Sequence, residues 1–295
     1  MKRTKVIILG DNGMLGHKVY QEFNQRFDTW GTIRDSIESW QHLPFLKKDR
    51  IVENIEVSSR ESIINALDRV QPEVVVNCIG IVKQLKEGDS PVSAITVNAL
   101  LPHWLADLCQ ERGIRLIHIS TDCVFSGKGG NYSENDLPDP YDLYGRTKLL
   151  GEVTEKNCLT LRTSIIGREL KRTVGLLEWL LSQNGKTVQG YRYAIFSGFI
   201  TSELAFILAE IVSNHPELNG LYHISSEPIN KYDLLCMIKE TLNLQITINE
   251  YTGFLVDRSL DSKRIRGILK YQPPSWQEMI RRLATEVDEY EEWRR

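Results

Sequence analysis

The stretch VIILGDNGMLG, Val6–Gly16, decides the fold of this 295-residue chain. An apolar run ends there in a turn with the spacing G-x-x-G-x-x-G, and a helical pattern follows. Glycine lets the backbone turn tightly and approach a pyrophosphate, which a helix N-terminus then favours electrostatically. The context predicts a dinucleotide site, whose candidate residues are Gly10, Asn12, Gly13, Met14, Leu15 and Gly16. The alternative is a turn that needs glycine only for packing.

Strand and helix patterns alternate through the first half of the chain. Apolar, β-branched runs predict buried parallel strands at residues 5–9, 29–33, 73–79 and 114–120. Apolar residues at helical spacing predict helices at residues 17–27, 60–70 and 91–112. This order predicts an α/β fold, a doubly wound parallel (Rossmann) sheet with ligands at the carboxyl ends of its strands.

The later part of the chain has a different pattern, in which short polar and aromatic segments alternate with helices. It predicts a smaller mixed α/β C-terminal lobe that binds substrate. We therefore expect a dinucleotide-binding domain over residues 1–165, to which residues 201–224 return. The substrate-binding lobe is expected to consist of residues 166–200 and 225–295.

Composition is that of an ordinary soluble protein, with 41% hydrophobic and 25% charged residues and a net charge of -3. This balance gives no reason to expect nucleic acid or an anionic membrane as partner. With no apolar run near the ~20 residues of a spanning helix and no signal peptide, a cytoplasmic location is expected. Five scattered cysteines indicate reduced thiols, and ligand spacing for a metal is missing. Oligomeric state stays open, with a homodimer as one option.

The end of the second predicted strand bears on the choice of cofactor. An acidic residue at this point usually marks NAD, whereas an arginine accommodates the 2′-phosphate of NADP. Here Arg34 comes first and Asp35 follows. We favour NADPH over NADH, because a guanidinium pairs well with a phosphate. Two alternatives stay open: Asp35 could take the ribose hydroxyls, and Arg34 could be a solvated loop charge.

Two further motifs carry proton chemistry: STDCVF at Ser120–Phe125 and YGRTK at Tyr144–Lys148. Tyr144 and Lys148 lie four residues apart, so a helix places them on one face. A lysine ammonium lowers the pKa of a nearby phenol, which can then donate a proton to a carbonyl oxygen as hydride reaches its carbon. Thr121, at the end of a buried strand, can hydrogen-bond the same oxygen. The pattern predicts a nicotinamide-dependent oxidoreductase.

On these motifs the chain resembles the extended short-chain dehydrogenase/reductase family, and within it the dTDP-4-dehydrorhamnose reductase branch. The resemblance covers nearly the whole chain, through NC at 77–78, VNA at 97–99, LRTS at 161–164, GLYHIS at 220–225 and LDSK at 260–263. It implies reduction of the 4-keto group of a nucleotide-activated 4-keto-6-deoxyhexose, for polysaccharide biosynthesis. By this resemblance the catalytic residues are Thr121, Tyr144 and Lys148.

The expected binding residues extend beyond the catalytic set. For the cofactor they include Arg34, Glu56, Val57, Cys78, Ile79, Gly80, Asn98, Tyr144 and Lys148. For the substrate they are Lys83, Thr121, Asp122, Cys123, Arg192 and Arg258. Lys83 could line the sugar pocket, and Arg192 and Arg258 could meet a diphosphate, which calls for cationic groups such as guanidinium. Glu56 and Val57 fit a solvated strand end equally well, and Asn98 fits a helix residue that bonds nearby backbone. For any single cation, a plain surface charge is the alternative.

Departures from the branch bear on the sugar more than on the chemistry. Cys123 stands where the branch usually has an aromatic residue, and residues 197–203 lack its usual Pro-Thr pair. The 4,6-dehydratases of the superfamily have Asp-Glu after the threonine, whereas here Asp122 is followed by Cys123, which argues against dehydration. Two alternatives to a reductase are a nucleotide-sugar epimerase with tightly bound NAD, and a regulatory subunit such as that of methionine adenosyltransferase, which resembles the same branch.

Overall fold

The computed structural model describes residues 3–82, 90–171 and 173–293, so the predicted substrate residue Lys83 lies outside the described residues. The chain divides into two compact units. The first consists of Met1–Ser120, Asp142–Leu161 and Leu204–Leu221. The second consists of Thr121–Tyr141, Arg162–Glu203 and Tyr222–Arg295. The domain boundaries given above remain a prediction about binding units.

The largest sheet is built around the N-terminal strand. Within the described residues it has seven strands, namely β1 (Lys5–Leu9), β2 (Asp28–Thr32), β3 (Ile51–Val52), β4 (Val74–Asn77), β5 (Arg115–Thr121), β6 (Cys158–Thr163) and β10 (Gly220–His223). Their order is β10-β6-β5-β4-β1-β2-β3. Strand β1 pairs in parallel with β2 on one side and β4 on the other, and β2 with β3 and β4 with β5 are also parallel.

The strand order places a switch point at β1. The chain runs outward from β1 through β2 to β3, then crosses to β4 and runs the other way. In open sheets of this kind, ligands bind beyond the carboxyl ends of the strands at such a point. The carboxyl end of β1 leads directly into the glycine turn, and that of β4 leads into Cys78. The predicted α/β class with a Rossmann-like sheet is confirmed.

Helices connect and cover these strands. They are α1 (Gly16–Arg26), α2 (Arg60–Val70), α3 (Pro91–Ala94), a π-helix (Ile95–Leu100), α4 (Leu101–Arg112), α5 (Leu143–Leu150) and α7 (Thr201–Asn214). The core on one side of the sheet joins Ile7 and Val75 of the strands to Leu67 of α2 and Leu105 of α4, all of them buried. Burying a side chain of this size stabilises the fold by roughly 1.5–3 kcal/mol. Helix α4 ends at Arg112, where the predicted helix ends, and Gly113 follows with φ 66°, a conformation that favours glycine.

The helical run Pro91–Arg112 is the one described segment whose length and composition would allow it to cross a membrane. This run contradicts the prediction that no apolar segment approaches the length of a spanning helix. More than half of its most apolar window is buried inside the structure (56%). Its apolar residues, such as Leu101 and Leu108, belong to the core beneath the sheet, and core packing accounts for the composition.

The second unit contains the smaller sheets. Its elements are β7 (Ile165–Ile166), α6 (Leu176–Leu181), β8 (Thr187–Phe196), β9 (Phe199–Ile200), β11 (Ile229–Asn230), α8 (Lys231–Thr241), β12 (Thr247–Asp257), α9 (Lys263–Leu269), α10 (Trp276–Thr285) and α11 (Val287–Trp293). Strand β8 pairs antiparallel with β11 and parallel with β12, and β7 pairs with β9. This confirms a smaller mixed α/β part.

Candidate active site

The turn after β1 has the geometry that the glycine spacing predicts. Gly10 has φ 84°, a conformation that favours glycine. A Cβ atom on Gly16 would overlap the carbonyl oxygen of Gly10, and one on Gly13 would lie 3.2 Å from the same oxygen. Helix α1 starts at Gly16, and its first turn has neither an acidic residue nor a side-chain cap. The close approach of Gly16 to Gly10 requires that Gly16 has no side chain, and binding of a pyrophosphate at this helix N-terminus remains a prediction.

The same turn contains a buried carboxyl group that sequence reasoning overlooked. The N–H groups of Gly10 and Asp11 donate to the hydroxyl and carbonyl oxygens of Thr32, at 3.1 and 2.9 Å. The Asp11 side chain is fully buried, and among the described residues neither of its carboxyl oxygens has a hydrogen-bond partner. Burial raises the pKa of Asp11 well above its usual value. An acidic residue inside a glycine turn was the available signal.

The end of β2 holds the residues that bear on cofactor choice. Arg34 and Asp35 are both exposed, and backbone bonds from Ile55 to Ile33 and from Asn54 to Asp35 join this end to the segment after β3. Hydrogen bonds from the Ser58 side chain and backbone lower the pKa of Glu56, and the charge of Arg34 adds to this effect. Arg34 and Glu56 therefore lie close enough for their charges to interact. Val57 is partly buried and packs against the core. Binding of adenosine by these residues remains a prediction.

Helix α5 carries the predicted Tyr-x-x-x-Lys pair. Asp142 caps its N-terminus by accepting a hydrogen bond from the Gly145 N–H at 2.8 Å. Tyr144 is partly buried, and Lys148, one turn further along, is 3% exposed. The Lys148 ammonium donates to the carbonyl oxygen of Ile119 in β5 at 2.7 Å. The structure therefore places the tyrosine and lysine on one short helix and ties the lysine to a strand of the main sheet.

The surroundings of Lys148 lower the pKa of its ammonium group. Burial lowers the pKa of Lys148 to about 8, while Glu152 and Cys78 act in the opposite direction. Glu152 accepts a hydrogen bond from the Ser120 hydroxyl at 2.7 Å. The Nζ atom of Lys148 also lies 3.5 Å from the Nε2 atom of His118, a fully buried histidine of β5. A lysine of this kind can exchange a proton near neutral pH.

Asn98 lies in the π-helix, a local widening that often marks functional sites. Its amide oxygen accepts from the Ile81 N–H at 2.9 Å, and its amide nitrogen donates to the Ile81 carbonyl and the Thr147 hydroxyl, at 2.9 and 3.3 Å. These bonds match the interpretation of Asn98 as a residue that bonds nearby backbone. They fix the segment after Gly80 and pack it near α5, and a direct cofactor contact remains a prediction.

The second unit gathers four of the six predicted substrate residues in one cluster. The Thr121 hydroxyl donates to the Asp122 carboxyl at 3.2 Å and accepts from the Cys123 N–H at 3.1 Å. Arg258 donates to the Phe125 carbonyl at 2.9 Å, and its guanidinium lies 3.6 Å from the Cys123 sulfur. Burial raises the pKa of Asp122, although the Arg258 charge opposes this. The cluster thus brings a hydroxyl group, a carboxyl group and a cation close together in space.

Arg192 lies outside this cluster. Its guanidinium pairs with Asp233 at 2.7 Å and with Glu250 at 2.8 Å, and it lies 4.3 Å above the Tyr232 ring. These two carboxylates raise the pKa of Arg192. A phosphate at this position would have to compete with both of them, so its predicted role in binding gains no support from the geometry.

The chain matches the family described as RmlD substrate binding domain over residues 4–289, and it belongs to that family. Methionine adenosyltransferase 2 subunit beta of Mus musculus is 28% identical over 252 residues, which is 81% of this chain and 72% of the relative. The spore coat polysaccharide biosynthesis protein SpsK of Bacillus subtilis is 26% identical over 303 residues, 96% of this chain and 98% of the relative.

Among solved structures, dTDP-4-dehydrorhamnose reductase from Bacillus anthracis, in complex with NADP, superposes with a TM-score of 0.80. The match covers 97% of this chain and 100% of that one at 20% sequence identity. At this identity the likeness shows the fold. The predicted membership of the reductase-like branch is thereby confirmed at the level of the family.

Proposed function

We propose that this protein is an NADPH-dependent reductase that converts the 4-keto group of a nucleotide-activated 4-keto-6-deoxyhexose into a hydroxyl group. The observation that carries the proposal is Lys148, which is buried on the helix that bears Tyr144 and has its pKa lowered to about 8. A structural lysine has no need of such an environment, whereas proton transfer at neutral pH does.

The roles follow from the chemistry of the residues. Bound NADPH would supply the hydride. Tyr144 donates the proton to the carbonyl oxygen, Lys148 sustains the acidity of the phenol, and Thr121 stabilises charge on the same oxygen. The glycine turn at residues 10–16 holds the pyrophosphate, with Arg34 at the 2′-phosphate. In the second unit, Asp122, Cys123 and Arg258 are assigned to the sugar nucleotide, as Lys83 and Arg192 are on sequence grounds alone.

Relatives support this choice. The family includes chains named for dTDP-4-dehydrorhamnose reduction, and SpsK, named for spore coat polysaccharide biosynthesis, is similar over almost its full length. A soluble cytoplasmic enzyme that supplies a sugar for a surface polysaccharide fits both.

The deciding experiment follows the loss of absorbance at 340 nm with NADPH, and with NADH, against dTDP-, UDP- and GDP-linked 4-keto-6-deoxyhexoses. Tyr144→Phe is the matched control, because it removes one hydroxyl group and leaves the fold and the cofactor site in place. Turnover in the wild type that is lost in the variant supports the reductase. NADPH binding with no turnover on any of the three nucleotides contradicts it.

A second function has its own support, because the mouse relative at 28% identity is methionine adenosyltransferase 2 subunit beta. Under this alternative the protein would bind a methionine adenosyltransferase and alter its kinetics without using the cofactor. The test is co-elution with such an enzyme on size exclusion, together with a change in its initial rate. NAD that stays bound through purification, with no net turnover, would instead favour an epimerase.

A further inference from the structure

His118 is a fully buried titratable residue that the proposed chemistry does not use. It lies on β5 opposite Asn77 of β4 in the parallel register. Its ring joins two residues, since Nδ1 lies 3.1 Å from the amide nitrogen of Asn77 and Nε2 lies 3.5 Å from Nζ of Lys148. The position of the proton on this ring therefore decides whether Lys148 lies beside an N–H donor or a lone-pair acceptor.

The backbone fixes the position of that proton. The Ile79 N–H, which can only donate, donates to the Asn77 side-chain oxygen at 3.1 Å. The amide nitrogen of Asn77 must then face His118, and because an amide nitrogen also only donates, Nδ1 of His118 has to accept. Burial and the charge of Lys148 lower the pKa of His118 well below its usual value, so the ring is neutral. A neutral ring that accepts at Nδ1 has its hydrogen on Nε2.

The Nε2–H group consequently points at the lysine nitrogen. A lysine ammonium has three donors and no acceptor, so it cannot take this hydrogen bond, whereas a neutral amine has a lone pair that can. The hydrogen bond from Lys148 to the Ile119 carbonyl at 2.7 Å is available to both forms. The contact with His118 is thus the one that distinguishes the two forms of the lysine.

We propose that His118, oriented by Asn77, is a positioning residue that stabilises the neutral amine of Lys148. This inference deepens the proposed function and rests on it. When Tyr144 has given its proton to the carbonyl oxygen, an N–H bond of the Lys148 ammonium breaks and an O–H bond re-forms on Tyr144. The electron pair left on Nζ then accepts the hydrogen bond from His118, and the lysine regains its proton from solvent.

The other groups around His118 and Lys148 are consistent with a lysine that titrates near neutral pH. Glu152 favours the charged form of Lys148, and burial outweighs this effect; a Cys78 thiolate would act in the same direction. Burial raises the pKa of Cys78 above the neutral range, so this thiol is uncharged. His103 faces His118 and adds to the lowering of the His118 pKa. Among these groups, only His118 acts through a directed hydrogen bond on the neutral amine.

The test measures the lysine directly and needs no substrate. In protein labelled with 13C-lysine, the Cε shift of each residue reports its protonation across a pH titration, and Lys148→Met identifies the signal of Lys148. We expect a midpoint near pH 8 in the wild type. We expect His118→Gln to move it upward by about one pH unit or more, because the glutamine oxygen can accept from the ammonium. His42→Gln, which changes an exposed histidine, should leave it unmoved.

A second measurement does not depend on whether His118→Gln folds. Ring 15N shifts of the wild-type histidines should show His118 as the neutral Nε2–H form between pH 6 and 9. Asn77→Asp should reverse the tautomer, because a carboxylate accepts from both Ile79 N–H and Nδ1–H, and should raise the Lys148 midpoint.

The proposal is overturned by an Nδ1–H or doubly protonated ring in the wild type. It is equally overturned by a Lys148 midpoint near the ordinary value, or by a low midpoint that His118→Gln leaves in place, which would assign the effect to burial alone. Because both measurements are made without a sugar nucleotide, their outcome is independent of the reductase assay. A silent assay with the expected titrations would contradict only the reaction.

Discussion

Two of the buried cations in the described part of the chain, one from each unit, are held in opposite ways. Arg168 of the second unit is completely buried, donates to Glu178 at 2.7 Å and to Glu291 at 2.9 Å, and lies 5.1 Å from the Tyr290 ring centroid. Lys148 of the first unit is 3% exposed, yet its hydrogen bond goes to the neutral carbonyl of Ile119, and a neutral histidine lies 3.5 Å away.

The difference separates a cation that stabilises the fold from a cation that can take part in proton transfer. Arg168 is neutralised by carboxylates and ties the segment before α6 to α11, so its charge is fixed. For Lys148, burial outweighs the opposing charge of Glu152, lowers the pKa to about 8 and lets the charge change during a reaction. Burial alone therefore does not mark a functional cation, whereas burial with hydrogen bonds to neutral groups does.

The largest expected effect tests the chemical side of this comparison. Tyr144→Phe should lower kcat by roughly 100- to 10,000-fold, because it removes the general acid. NADPH affinity, followed by nicotinamide fluorescence, should change little. Tyr251→Phe, at an exposed tyrosine on β12, is the matched control and should retain full turnover. Retained activity in Tyr144→Phe would remove the catalytic role from α5.

The next effect tests the structural side. Arg168→Met should destabilise the fold by about 3–5 kcal/mol, because it leaves the buried Glu178 carboxylate without its partner. Urea unfolding followed by circular dichroism measures this loss. Arg192→Met is the comparison variant, since its ion pairs with Asp233 and Glu250 are exposed, and it should leave the urea midpoint almost unchanged. Equal losses in the two variants would contradict the distinction.

The sequence predicted the main sheet because its signals are local. Apolar runs ending in glycine and β-branched strands each act within a few residues. The strands at 5–9 and 74–77 lie within the predicted runs, and the strand at 115–121 extends one residue beyond its predicted run. The confirmed Rossmann-like class followed from their order. The site residues remain predictions, although four of the proposed substrate residues do lie in one cluster.

The parts that sequence reasoning missed depend on register and packing. The chain from Asn77 through His118 to Lys148 exists because β4 and β5 pair with Asn77 opposite His118, and no local pattern specifies that pairing. The ion pairs of Arg192 join residues 41 and 58 positions apart. The π-helix at Ile95–Leu100 has i→i+5 hydrogen bonds over a short stretch of a longer helical run. The apolar periodicity of the whole run does not reveal so local a change.

The third effect is a pH dependence of stability. The pKa of Lys148 is about 8 in the folded chain and 10.5 ordinarily, so between these values the unfolded chain binds more protons. Stability therefore rises with pH across this window. Relative to Lys148→Met, the wild type should gain up to about 3 kcal/mol of unfolding free energy from pH 8 to 10.5. Urea unfolding at several pH values measures it, and a constant difference would mean that Lys148 keeps an ordinary pKa.

The smallest effect extends the comparison to an exposed cation. Arg34 stands at the end of β2, where its charge reaches Glu56, and solvent rather than burial surrounds it. If it reads the 2′-phosphate, Arg34→Ala should weaken NADPH binding by about tenfold, since one exposed charge-assisted contact contributes about 1.4 kcal/mol. NADH binding should be nearly unaffected. Fluorescence titration with both cofactors measures the ratio, and Arg60→Ala, at another exposed arginine, controls for net charge. Equal weakening of both cofactors would assign Arg34 to general electrostatics, and the choice between the two cofactors would then pass to Asp35.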